Sequence, residues 1–110
     1  MSESLVVITN CPDDAVAERI ARTLVENGLA ACVNRLAPVA SVYRWQGAVE
    51  HAVEIPLLIK TTRGRYTEVE QAIRSLHPHE VPEIIALGIE AGFAPYLRWM
   101  ASETEPPLLA

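Results

Sequence analysis

A chain of 110 residues with 50% hydrophobic and only 5% aromatic content suits one domain stabilised by aliphatic packing. Its formal net charge of −5 and the lack of a polybasic run exclude an electrostatic footprint for nucleic acid or an anionic membrane surface. Two cysteines do not make a disulfide framework. The opening "MSESLVVITN" shows no signal peptide, and no apolar run approaches the roughly 20 residues of a membrane span, so a cytoplasmic protein with reduced thiols is expected.

"LVVITNC" (5–11) is a continuous, β-branched run that predicts a strand buried on both faces. Asp13 or Asp14 then caps a helix whose stripe is Ala17, Ile20, Ala21, Leu24 and Val25, with a Glu18–Arg22 pair outside and Gly28 at the left-handed C-cap. "LAACVNRL" and "VASVYRW" (29–45) read as one long strand interrupted at Ala37-Pro38, and "QG" (46–47) is the hairpin turn into "VEHAVEIPLLIKT" (49–61). Along that return Val53, Ile55, Leu57 and Ile59 share one face, and Pro56 suggests an edge. "RGRYTEVEQAIRSL" predicts a second helix with the stripe Tyr66, Val69, Ile73 and Leu76 and a Glu70–Arg74 pair. "EIIALGI" (83–89) is a last buried strand, Pro95 starts a short terminal helix, and 103–110 is a tail.

The order β-α-β-β-α-β plus a terminal helix is the split βαβ, ferredoxin-like pattern of an α+β sandwich, here a single domain over 1–110 with its core in 5–100. The strand pair 29–61 is much longer than the rest and would overhang a small sheet, leaving main-chain groups unpaired. Pairing with further copies satisfies them, so a closed symmetric oligomer is expected.

The densest polar stretch is "HPHEVPEI" (77–84). Pro78 pushes His77 out of helical geometry, so the second helix stops there, and His77 as a helix-end donor or interface residue is one reading. His77 and His79 are two apart and can face one ion, copper or zinc by ligand type, although the two prolines disfavour a regular strand. Glu80 and Glu83 could serve as acid or base beside histidine, but no nucleophile or oxyanion device accompanies them; Glu83 can instead pair with Lys60. Cys11 and Cys32 read as small core groups, His51 as a solvent-facing strand residue, and Tyr43 and Trp45 as one face of a strand suited to an interface or pocket rim.

"LVVITNCPD", "LAACVN", "SVYRWQG", "IKT", "HPHEVPEI" and "YLRW", in that order over roughly residues 5–100, resemble the CutA divalent-cation tolerance proteins. The resemblance implies a ferredoxin-like protomer with an extended hairpin of the second and third strands, a homotrimer of PII-like architecture, a role in the response to copper and other divalent ions, and no enzymatic reaction. It places Cys32, Tyr43, Trp45, Lys60, His77, Pro78, Glu83 and Trp99 on family motif positions near a cleft between subunits. Two positions depart from the family's proposed copper ligands: Thr9 stands where the first strand would carry a cysteine, and Leu76 replaces the first of two adjacent histidines. His77 carries over, His79 takes the place of the usual tyrosine, and Cys11 is the nearby thiol, so the expected metal set is His77, His79 and Cys11. The alternative ligand is an anionic metabolite held in the cleft by Lys60, His77 and Glu83 around Tyr43, Trp45 and Cys32.

Overall fold

The computed structural model describes residues 3–107, in the order β1 (Ser4–Cys11), α1 (Asp14–Glu26), β2 (Cys32–Arg35), β3 (Val39–Trp45), β4 (Ala48–Thr62), a 3-10 turn (Arg63–Arg65), α2 (Tyr66–Leu76), β5 (Ile84–Gly88) and α3 (Ala94–Glu103). The strands form one antiparallel arrangement, β2-β4-β1-β5, with β3 continuing beside the outer part of β4. This is the α+β, ferredoxin-like order that the element pattern predicts.

One sheet face makes the core. Leu5, Val7, Thr9 and Cys11 of β1 stand beside Thr61, Ile59, Leu57 and Ile55 of β4, and all are buried. Val16, Ala17, Ile20 and Leu24 of α1 and Val69 and Ile73 of α2 close over them. Each large aliphatic side chain removed from water here contributes about 1.5–3 kcal/mol. The expected burial of β1 on both faces does not hold: both helices lie on one side, so Val6 and Ile8 on the other are only half-buried. α3 covers one end of that second face, where Thr104 Oγ1 meets Thr62 Oγ1 at 3.4 Å and Tyr96 lies beside Cys32.

The helix ends follow the sequence closely. Asp13 Oδ1 accepts from the Val16 N–H at 2.9 Å and caps α1, and Gly28, at φ +66°, ends it while Leu29 N–H returns to Leu24 O. Arg22 bridges Glu18 and Glu26. In α2 the predicted Glu70–Arg74 pair is replaced: Glu70 accepts from the Tyr66 hydroxyl at 3.0 Å. Pro95 sits in the first turn of α3, where its missing N–H costs nothing.

The long strand is interrupted where expected, at residues 36–38 between β2 and β3, and its register on β4 shifts by one residue there, from Arg35↔Leu57 to Val39↔Glu54. Three further expectations are corrected. Pro56 is not on an edge but in the central strand, opposite Asn10 of β1. Its carbonyl accepts from the Leu36 N–H, so the donor it lacks points to the interruption at Leu36–Pro38, where the regular ladder stops. β5 is the exposed strand, not a buried one: it lies at the sheet margin, with Ile85 and Leu87 about half exposed, at 48% and 54%. The tail also starts later than 103, since Glu103 belongs to α3 and Thr104 is buried, donating to Met100 O at 2.8 Å. Residues 108–110 of that tail, and Met1 and Ser2, lie outside the described residues.

The predicted overhang is present. β1 accompanies β4 only as far as Ile55, and Ala48–Glu54 have β3 alone beside them. Gln46 and Gly47 turn the hairpin with φ of 49° and 83°, the signature of a type I′ turn. Val42, Val49 and Val53 on its outer length are 65%, 59% and 67% exposed.

Gly28→Ala tests the local reading of the α1 C-cap. A Cβ there would meet Glu103 O at an ordinary 3.6 Å, so the cost comes from the positive φ alone. The expected loss is about 1 kcal/mol, read as a lower urea midpoint with unchanged m at fixed protein concentration.

Candidate functional site

The turn "HPHEVPEI" is built on a neutral imidazole. α2 ends where Pro78 forces His77 to an extended backbone (φ −83°, ψ 132°). The His77 side chain folds inward and is 6% exposed. Its Nε2 lies 2.7 Å from the Asn10 carbonyl oxygen, which can only accept, so Nε2 carries the proton. Its Nδ1 takes the His79 main-chain N–H at 3.1 Å, so Nδ1 offers its lone pair. Both nitrogens are thus engaged with main-chain groups. Asn10 holds the far side of the turn as well, donating from Nδ2 to Glu83 Oε1 at 3.3 Å.

Asn10 therefore ties residues 77 and 83 to the end of β1. Sequence reasoning missed it; the only signal was a polar residue near the end of an otherwise apolar strand. Glu83 is held by Asn10 rather than by Lys60, whose Nζ donates to Asn34 Oδ1. His77 and Glu83 are each committed to Asn10 and are not paired as acid and base. His79 is exposed, its ring 4.7 Å from that of His77, and with Glu80 it walls a shallow depression beside α2.

The expected cleft residues separate into three groups. Cys32 and Lys60 face each other across β2 and β4, and Tyr96 joins them from α3. Burial pushes the Tyr96 hydroxyl up, and Cys32 beside it adds to the rise. Glu83 sits at the opposite end of β1 with Asn10. Tyr43 and Trp45 lie far out on the hairpin, opposite Glu50 and Ala48. Ten residues of β4 separate Lys60 from Glu50, roughly 33 Å at ~3.3 Å per residue. One chain does not bring these side chains into one pocket.

Residues 5–103 match the family model described as CutA1 divalent ion tolerance protein. The chain belongs to the CutA1 family. It is 48% identical over 90 residues to the Protein CutA homolog of Xenopus laevis, covering 82% of this chain and 60% of that protein, so the chain spans less than two thirds of that relative's length. The solved divalent cation tolerance protein of Thermus thermophilus is 43% identical with a TM-score of 0.91, covering 93% of this chain and 99% of that one. The Archaeoglobus fulgidus structure, described as a periplasmic divalent cation tolerance protein, is 34% identical with a TM-score of 0.90, covering 93% and 99%. Among the described residues no helix of this CutA1-family chain is long and apolar enough to cross a membrane.

Its expected metal set is not gathered in one chain. Among the described residues, no three His, Cys, Asp or Glu side chains are placed to hold an ion. His77 has already given its lone pair to His79 N–H. Cys11 is fully buried in the helix-covered core, and burial, with Asp13 and Glu54 adding, raises its thiol from 9.0 to about 11. Thr9 lies in the same core row, and its Oγ1 has no partner among the described residues.

Two tests follow from this geometry. His77→Ala removes a buried ring and two hydrogen bonds, and is expected to cost about 2–3 kcal/mol in urea unfolding. For Cys11, the raised folded-state pKa means that burial of the neutral thiol stabilises the protein fully below pH 9.0, and that this contribution fades as pH rises toward about 11. The stability gap between wild type and Cys11→Ala should therefore shrink across that window, by about 2–3 kcal/mol in all.

Proposed function

We propose that this chain acts as a homotrimer in tolerance of divalent cations, a binding module of PII-like architecture whose ligand sites are completed between copies. The single observation behind this reading is the unpartnered side of the sheet. Leu58, Ile8 and Ile85 form one cross-strand row, and Lys60, Val6 and Leu87 the next, and α3 shields only one end of that face. Together with a hairpin whose inner edge has no strand beside it, this is surface that sister chains can bury and pair. A closed ring of copies satisfies every protomer equally. It would also let the hairpin residues Tyr43 and Trp45 of one copy approach Lys60, Cys32 or Glu83 of another.

A binding role fits the chemistry better than a reaction. The buried histidine is locked to main chain on both nitrogens, and the one fully buried thiol is held in its unreactive form. Copper or another divalent ion would meet the exposed His79 first, with His77 available only after its bond to His79 N–H is given up. One imidazole holds such an ion weakly, so useful affinity requires ligands from more than one copy. Anion capture at Lys60 is the second reading, supported by an ammonium that donates to Asn34 Oδ1 on the sheet face that α1 and α2 leave open. The free thiols agree with a reducing cytoplasm.

Light scattering on a sizing column should report a mass near three times 12.1 kDa at micromolar concentration, and a single-chain particle would end the reading. In calorimetric titration with copper, His79→Ala should weaken binding by ~10-fold or more, the equivalent of about 1.4 kcal/mol. Identical isotherms for wild type and variant would remove His79 as a ligand.

A further inference from the structure

The depression beside the C-terminal end of α2 has a volume of about 330 Å³ and is lined by Gln71, Arg74, Ser75, His79, Glu80 and Pro82. It is a shallow, open depression, with room for a small molecule and not for a nucleotide. Its floor is the α2 face that repeats at three and four residues, placing Gln71, Arg74 and Ser75 together. Its far wall is the turn that the neutral His77 fixes, since the His79 N–H is bonded to His77 Nδ1 and His77 to Asn10. The wall is therefore held in place before any ligand arrives.

Two opposite charges share this bowl without meeting. The ion pairs within 4.0 Å among the described residues include neither Arg74 nor Glu80. A bare anion would be drawn to Arg74 and opposed by Glu80. A bare cation would be drawn to Glu80 and opposed by Arg74. A ligand that carries both charges satisfies both groups. The remaining polar atoms fall on the same pattern. The Gln71 amide can donate beside the guanidinium. Ser75 Oγ already donates to Ala72 O at 3.0 Å, so toward the bowl it is left with acceptor lone pairs.

We propose that this bowl binds a small amphoteric molecule with one carboxylate and one ammonium, the chemistry of a free α-amino acid. Arg74 takes the carboxylate in a bidentate pair, Glu80 and Ser75 Oγ take the ammonium, and the Pro82 ring and the His79 imidazole flank the side chain. The lining residues all come from one chain, and the site shares only His79 with the copper reading, so Arg74 and Glu80 test it separately.

The test is amide NMR on the full chain, titrated with L-alanine and L-leucine, and with acetate and methylamine as the two half-ligands. The amino acids are expected to shift the amides of Gln71, Arg74, Ser75, His79 and Glu80. Arg74→Gln and Glu80→Gln should each weaken that response by ~10-fold, the loss of one charge-assisted contact. The spectra themselves report whether the variants keep the fold. Acetate or methylamine binding as well as the amino acids would overturn the proposal in favour of a simple ion site. Absence of any shift with both amino acids would overturn it too.

Discussion

The structure depends on how one strand satisfies its main chain. β4 is 15 residues long, and a central strand must find partners on both sides. On one side β1 serves Ile55–Thr62 and then stops. On the other, β2 serves Leu57–Lys60 and β3 serves Ala48–Glu54, with the handover at Leu36–Pro38. Pro56 stands opposite that handover with its carbonyl on Leu36. A proline is tolerated in a central strand because the gap in the neighbour coincides with the donor it lacks. Moving either break by one residue would leave an N–H or a carbonyl without its partner. It would also turn every side chain of the slipped strand to the wrong face.

That pairing scheme also decides which surfaces remain unsettled in one chain. Both long helices follow strands that deliver them to the same side of the sheet, so the opposite side receives only α3. The result is an asymmetric molecule: one face packed by Ile20, Leu24, Leu57, Ile59 and Ile73 at zero exposure, the other ending in half-exposed Ile85 and Leu87. A solitary domain would place charge on such a strand face. Here β5 carries none within Ile84–Gly88.

Most of the scaffold was legible because it rests on local rules. Helix caps at Asp13 and Gly28, the stripes of α1 and α2, and the Gln46-Gly47 turn all depend on residues within a few positions of one another. What was not legible depends on which elements lie side by side. "EIIALGI" is as apolar as a buried strand, and only the sheet order puts it at the margin. Pro56 suggested an edge, and only the gap in β2–β3 shows why the centre accepts it. The Glu70–Arg74 pairing lost to Tyr66 because the phenol, half-buried against the core, points its hydroxyl at the same carboxylate. The candidate site was legible as a cluster of residue types, and its helix-stopping character was plain from Pro78. Its wiring was not, since Asn10 is 67 residues away from His77 and nothing in the local sequence connects them.

That wiring changes what the histidines can do. An imidazole with one nitrogen protonated toward a carbonyl and the other accepting from an N–H has no vacant electron pair. His77 thus behaves as a bolt between β1 and the turn. Any ligand that claims its Nδ1 must first release the His79 main chain, so coordination there would be coupled to rearrangement of residues 77–83. His79 has no such duty through its side chain, and Arg74 and Glu80 line the same depression with no ion-pair partner among the described residues. The imidazole open to solvent is accordingly the exposed His79 and not the buried His77, two residues before it. In this chain the turn is held by a structural bolt, and the groups left to meet a ligand are the ones that the bolt holds still.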